Sequence, residues 1–159
     1  MNEIRARLTK DHEEIQALLR RLAEDADAPD AAELLVSWGA LEGRVLRHME
    51  AEERYLLPLL EASHPAAVAK TRAEHGHIRD ILSALGIAVE LHSARKPDIL
   101  QLIELLKAHS AYEDGALYTL AGERASVAIQ HSVTAALKGL LSSSGPRAGR
   151  ATGQGHAGS

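Results

Sequence analysis

The chain has 159 residues, 45% of them apolar but only 3% aromatic, with no Phe and no Cys. One domain of that length can bury a core without cross-links, and the core must be built from Leu, Ala, Ile and Val; a disulfide scaffold, thiolate metal ligation and an iron–sulfur cluster are excluded. The formal charge is −4, and residues 142–159 hold Arg147 and Arg150 but no acid, so the body before them carries sixteen basic against twenty-two acidic residues, which argues against nucleic acid as a partner.

The opening segment MNEIRARLTKDHEE lacks the apolar core of a signal peptide, and nothing later approaches the roughly 18 uninterrupted apolar residues of a membrane span. A cytoplasmic protein with no membrane partner is expected. Residues 2–23 place Leu8, His12, Ile15, Leu19 and Leu22 at steps of three and four, the spacing of an amphipathic helix. Turn-forming residues follow in Asp25-Ala-Asp-Ala-Pro-Asp30. A second stripe runs to about Glu61 through Leu34, Trp38, Leu41, Val45, His48, Glu52, Tyr55 and Leu59, and Pro58 is expected to kink or end that helix. Ser63-His64-Pro65 reads as a restart, and a third helix, to about His92, carries Val68, Arg72, His75, Leu82, Leu85 and Val89. A second restart at Lys96-Pro97-Asp98 opens a fourth helix with Leu102, Leu105 or Leu106, His109, Glu113, Ala116 and Leu120. Short connections predict an all-α fold, an antiparallel up-down four-helix bundle over residues 1–121. After Gly122, Ile129, Val133, Leu137 and Leu140 mark a short extra helix within 122–141, expected to pack outside the bundle. Residues 142–159 read as a flexible tail.

The second and fourth helices share the pattern H-x-x-x-E-[ED]-x-x-L-x-x-L, from His48, Glu52, Glu53, Leu56 and Leu59 in one and His109, Glu113, Asp114, Leu117 and Leu120 in the other, offset by 61 residues. The helix before each supplies one more His: His12 lies 36 residues before His48, and His75 lies 34 before His109. Helices one and two therefore repeat as helices three and four. A single His on an apolar face is usually a hydrogen-bonded core residue, and a Glu at a stripe's edge usually reaches solvent. Two Glu on regular apolar stripes are another matter, because an unpaired buried carboxylate costs several kcal/mol and demands a cation or a proton. Residues four apart share a helix face, about 6 Å along the axis, so each His–Glu pair presents one nitrogen and one carboxylate inward. Two such carboxylates can bridge two cations roughly 3.5–4 Å apart, with four imidazoles capping them. His64, His77, His92, His131 and His156 fall in loops, on the wrong helix face, on the extra helix or in the tail, and are not expected to be ligands. Tyr55, Tyr112 and Arg79 are candidates to stand beside the metals, although a phenol packed in the bundle is the commoner role for each Tyr.

Through DHEEI at His12, HMEAEERYLLPLL at His48 and Glu52, AEHGHI at His75, and HSAYEDGALYTLA at His109 and Glu113, residues 1–121 resemble the hemerythrin-like HHE cation-binding family. The resemblance implies a carboxylate-bridged pair of non-haem iron ions, with His12 and His48 on one iron, His75 and His109 on the other, and Glu52 and Glu113 as bridges; zinc or manganese are the alternatives. Oxygen-carrying members place a second His four residues after the first on the third helix, where this chain has Arg79, and end in H-x-x-x-x-D where this chain has H-x-x-x-E. One iron then lacks a nitrogen ligand. The expected function is binding or sensing of oxygen, nitric oxide or peroxide at the metal pair rather than simple oxygen carriage. Catalase-like peroxide disproportionation, with Arg79 or a Tyr near the substrate, and iron storage or delivery are the alternatives, and no catalytic residue is assigned. A ferritin-like di-iron bundle, with Glu-x-x-His and carboxylate-rich ligation, has the opposite balance of donors.

Overall fold

The structure is a computed structural model and describes residues 3–27 and 30–140. Among the described residues all regular structure is helical. Helix α1 is Glu3–Asp25. Helix α2 begins as Ala31–Ala51, widens into a π-helical turn at Glu52–Leu56 and closes as Leu57–Leu60. Helix α3 is Pro65–Glu90, and α4 repeats the form of α2, as Lys96–Tyr112, a π-helical turn Glu113–Leu117, and Tyr118–Gly122. Helix α5 is Val127–Leu137. No helix among the described residues is long and apolar enough to cross a membrane.

The helix boundaries have local causes. Asp30 caps α2 by accepting from the Ala32 N–H at 2.8 Å, and the Ser126 hydroxyl caps α5 by accepting from Ile129 at 3.3 Å. Pro65 heads α3 and Pro97 sits in the first turn of α4, where a missing N–H leaves no bond unmade. Gly139, at φ +70°, ends α5 by turning the chain so that Gly139 and Leu140 donate to Ala136 and Ala135 at 2.9 Å each.

Helix α1 packs on α2 and α4, and α3 packs on the same two, so the four long helices close into a ring; α5 lies against α1 and α2. Their inner faces form two apolar clusters. The larger gathers Ile15, Leu19, Trp38, Leu41, Val45, Ile78, Leu82, Leu102 and Leu106 with their neighbours. The smaller gathers Ile4, Leu8, Leu56, Leu57, Leu60, Val68, Leu117, Tyr118, Ala121 and Val133, and α5 closes it through Val133. Each fully buried Leu or Ile contributes on the order of 1.5–3 kcal/mol, so aliphatic side chains supply most of the driving force, with Trp38 and Tyr118 the buried aromatics. Between the two clusters runs a belt of buried polar side chains: His12, His48, Glu52, His75, His109 and Glu113.

On α2 and α4 the stripes hold as read up to this belt and then shift by one residue. On α2, Tyr55 and Leu59 are only partly buried while Leu56, Leu57 and Leu60 face the core. On α4, Ala116 is exposed and Leu120 partly buried, while Leu117, Tyr118 and Ala121 are inside. The cause is the extra residue in each π-helical turn, where Leu57 N–H bonds back to Glu52 O and Tyr118 N–H to Glu113 O, an i→i+5 pattern that rotates everything after it. Such a turn does not need a proline, because α4 has it with Thr119 at the position matching Pro58; α2 continues past Pro58 to Leu60. On α3, Arg72 is exposed and its expected place in the stripe is taken by Thr71, whose hydroxyl donates to Ala67 O at 3.0 Å. The expected tail, residues 142–159, lies outside the described residues, as does His156.

Candidate metal centre

One helix turn in each of the four long helices delivers an imidazole to the same place. His12 Nε2 and His48 Nε2 are 3.0 Å apart. His75 and His109 meet edge to face with ring centroids 5.0 Å apart. The two carboxylates lie between these pairs. Glu52 reaches His48 Nε2 at 3.3 Å with one oxygen and His75 Nε2 at 3.2 Å with the other. Glu113 likewise reaches His12 Nε2 at 3.2 Å through one oxygen, and His109 and His75 Nε2 at 2.9 and 3.4 Å through the other. The donors fall into two groups capable of holding an ion, His12–His48–Glu52–Glu113 and Glu52–His75–His109–Glu113, and both carboxylates belong to both.

Three of the four outer nitrogens are hydrogen-bonded. His48 Nδ1 donates to Asp11 at 2.8 Å, His75 Nδ1 to Glu53 at 2.9 Å, and His109 Nδ1 to Glu74 at 2.8 Å. His12 Nδ1 stands 3.2 Å from Asp114 without hydrogen-bond alignment. Each outer acid is the chain neighbour of an inner donor: Asp11 of His12, Glu53 of Glu52, Glu74 of His75, Asp114 of Glu113. Successive residues on a helix diverge by about 100°, so an acid beside an inward donor points across to the adjoining helix. The result is a circuit, α1 to α2 to α3 to α4 and back to α1, in which a hydrogen bond fixes the imidazole of the next helix at the first three steps and a close approach without alignment completes the fourth. At His48, His75 and His109 such outer carboxylates favour the Nδ1–H tautomer, aiming Nε2 inward and raising its basicity as a donor.

The outer acids are themselves held. Arg44 contacts Asp11 and Glu14, Arg79 forks onto Glu53 with Nη1 and Nη2 at 2.8 and 2.9 Å, Lys70 pairs with Glu74, and the Thr9 hydroxyl donates to Asp114 at 2.6 Å. Arg79 thus stands two contacts from the inner donors, through Glu53 and His75.

Burial alone would lower the imidazolium of His48, but the charge of Glu52, its bonds to Asp11 and Glu52, and the charge of Glu113 outweigh it and raise the group well above 6.5. For His75 burial is likewise overcome, by the close approach of the Glu113 and Glu52 carboxylates, and the group is pushed up to about 10. His109 is raised against burial by Glu113 and Glu74. Burial works against the charged form of Glu113, yet His109, His12 and His75 hold it well below 4.5. Glu52 is lowered more weakly, because burial and the Glu113 charge both oppose the lowering that His48 and His75 bring. Without an ion, protons are what keep two fully buried carboxylates together.

The donor set fits a pair of cations. Glu52 Oε2, Glu113 Oε1, His75 Nε2 and His109 Nε2 are buried with no hydrogen-bond partner, although they face one another at close range. Inward donors that approach without sharing a proton are those an ion between them satisfies.

The six residues singled out by the repeat all reach this cluster. Tyr55 and Tyr112 do not take part in its contacts: Arg54 lies over the Tyr55 ring, and the Lys70 ammonium sits 3.5 Å from the Tyr112 ring centroid. The phenol that does arrive is Tyr118, which is fully buried. Its hydroxyl donates to Glu52 Oε1 at 2.5 Å and lies 3.2 Å from Glu113 Oε2, 3.0 Å from His12 Nε2 and 3.2 Å from His48 Nε2. On a regular α-helix, five residues would turn Tyr118 about 140° away from Glu113; the π-helical turn brings it back underneath. Burial, then the charges of Glu52 and Glu113, raise the phenol well above 10. Tyr118 was hidden by the assumption of α-helical spacing; Asp11 and Glu74, and the roles of Glu53 and Asp114, were also missed, although an acid adjoining an inward donor was the signal that could have found them.

A family model described as the hemerythrin HHE cation binding domain matches residues 3–121, which span all six inner donors, the four outer acids and Tyr118. Comparison with curated proteins and with solved structures finds no match. The chain belongs to the hemerythrin HHE cation-binding domain family.

Proposed function

We propose that the four long helices form an antiparallel up-down bundle holding two iron ions, one on His12 and His48 and the other on His75 and His109, with Glu52 and Glu113 bridging, and that the pair binds or senses oxygen, nitric oxide or peroxide. The observation that carries this reading is the convergence of four inward Nε2 atoms on two shared carboxylates while their Nδ1 atoms face outer acids. Two imidazoles and shared carboxylate oxygens per ion leave positions for an added ligand, an arrangement that suits ferrous iron among the divalent metals. Glu52, Glu113 and His75 are 0% exposed, so only a small molecule can reach the centre.

When bound, the metal pair supplies redox and Lewis-acid chemistry. The chain's own part is positional. The outer acids favour one tautomer at three of the imidazoles, the apolar clusters above and below keep bulk water out, and the Tyr118 hydroxyl is placed to donate a hydrogen bond at the His12–His48 position. The repeat gives the other position no such group, for the residue 61 before Tyr118 is Leu57, a fully buried aliphatic. The two metal positions are therefore chemically unequal, and the phenol marks one of them.

Peroxide disproportionation is the second reading, favoured by the same hydroxyl, since a buried phenol can lend and recover a proton. Metal analysis and an absorption spectrum of protein purified in air test the first reading: two irons per chain with near-ultraviolet charge-transfer bands are expected, and a preparation saturated with zinc and free of iron would refute it. Oxygen release after peroxide addition, compared with free iron, decides the second.

A further inference from the structure

Charge on this protein is distributed unevenly, and one concave surface runs against the balance of the whole. A cleft of about 390 Å³ opens where α1, α2 and α5 meet, and its walls carry Arg7, Lys10, Arg44, Arg47 and Lys138. Its acids, Asp11 and Glu14, are both engaged by Arg44. Arg7 is paired with Glu3 at 3.6 Å. Lys10, Arg47 and Lys138 have no acid partner among the described residues. Elsewhere on the surface Arg21, Arg72, Arg95, Lys96 and Lys107 each face a nearby carboxylate, and Arg54 and Arg124, which do not, are engaged with the Tyr55 ring and the Leu120 carbonyl rather than gathered around this cleft.

Three unneutralised cations around one hollow repel one another, and an acidic chain has carboxylates to spare for them. The residues that follow Lys138 do not supply any, since 142–159 contain no acidic side chain. Lys138 caps the C-terminal end of helix α5, and the left-handed Gly139 turns the chain there, close against the Arg47 side chain. The fifth helix thus completes a basic pocket in addition to covering the apolar cluster around Val133.

We propose that this cleft binds a small oligophosphate, an anion with two or more adjacent phosphoryl groups, either free or as the phosphate chain of a nucleotide. The size of the hollow exceeds what one oxyanion fills, and cations drawn from three helices match charges spread along a short chain. The guanidinium of Arg47 offers a planar fork and the two ammonium groups offer point charges, the combination that grips phosphoryl oxygens. One wall of the cleft, Arg44, also holds Asp11, which holds His48, so a ligand in the cleft and the candidate metal centre share a chain of contacts.

The test uses the full chain and titration calorimetry with sodium tripolyphosphate, ATP, adenosine and citrate. One tripolyphosphate per chain is expected, ATP binding alongside it and adenosine silent; tighter binding of ATP than of tripolyphosphate identifies the nucleotide as the source, and equal or weaker binding identifies the free oligophosphate. The double variant Arg47→Ser/Lys138→Ser should weaken binding roughly tenfold or more, as loss of two charge-assisted contacts does, with helical circular dichroism unchanged. The variant Arg147→Ser/Arg150→Ser should leave binding intact. No saturable binding, citrate binding as tightly as tripolyphosphate, or loss of binding in the second variant rather than the first would each overturn the proposal, and none of these outcomes bears on the metal reading.

Discussion

The Tyr118 hydroxyl donates to Glu52 Oε1 at 2.5 Å, tying the π-helical turn of α4 to that of α2 across the middle of the core. This bond joins the two halves of the repeat at a point where they are not alike, since Leu57 stands in the matching place. Replacing Tyr118 by Phe removes the donor and leaves a buried carboxylate oxygen short of a partner, at a cost of about 1–3 kcal/mol in the metal-free protein. With cations on Glu52 the loss should be smaller. Urea unfolding of metal-free and loaded Tyr118→Phe checks this; an equal loss in both states would count against a cation at Glu52.

The circuit of outer acids predicts an order of effects. Glu53→Gln weakens the charge that orients His75 and frees Arg79, and should reduce metal affinity by about 10- to 100-fold with the fold intact. Asp114→Asn should cost less, because His12 Nδ1 approaches Asp114 without hydrogen-bond alignment. Competition with a chelator measures both. Should Asp114→Asn prove the more damaging, the circuit described here is not what positions the imidazoles.

The pH dependence of stability should differ between the two forms. In the metal-free protein His75 is raised from 6.5 to about 10, so its contribution is complete below about 6.5 and is lost as pH climbs through about 10. Glu113, held below 4.5, contributes above 4.5, and that share disappears as acid protonates it. The metal-free protein is therefore best stabilised by these groups between about pH 4.5 and 6.5. Cations need unprotonated imidazoles, so the gap in Tm between loaded and metal-free protein should widen from about pH 6 to about pH 9, with protons released on binding. Thermal scans and calorimetry in buffers of different ionisation enthalpy provide the readout, and a gap that narrows with rising pH would contradict the assignment.

Pro58 can be tested apart from the site. The matching residue on α4 is Thr119, and the π-helical turn forms there without proline, so Pro58→Ala should keep the turn and the number of metal ions bound. Metal content by atomic absorption decides this. Loss of metal in Pro58→Ala would show that the proline makes the turn on α2.

How much was legible beforehand follows from where local rules apply. The repeat at a spacing of 61, the four imidazoles, the two carboxylates and the restarts at Pro65 and Pro97 are visible in the amino-acid order, because helical periodicity and proline chemistry are properties of neighbouring residues. Tyr55, Leu59, Ala116 and Leu120 were misplaced for one shared reason. The i→i+5 turn that begins at buried Glu52 and again at buried Glu113 adds a residue that α-helical counting does not contain. The same insertion carried Tyr118 inward, while Tyr112, ahead of the turn, stayed beside Lys70. The order of residues thus determined which side chains meet, and the tertiary structure decided how they are held, since the pairing of Asp11 with His48, Glu53 with His75 and Glu74 with His109 depends on which helix lies next to which.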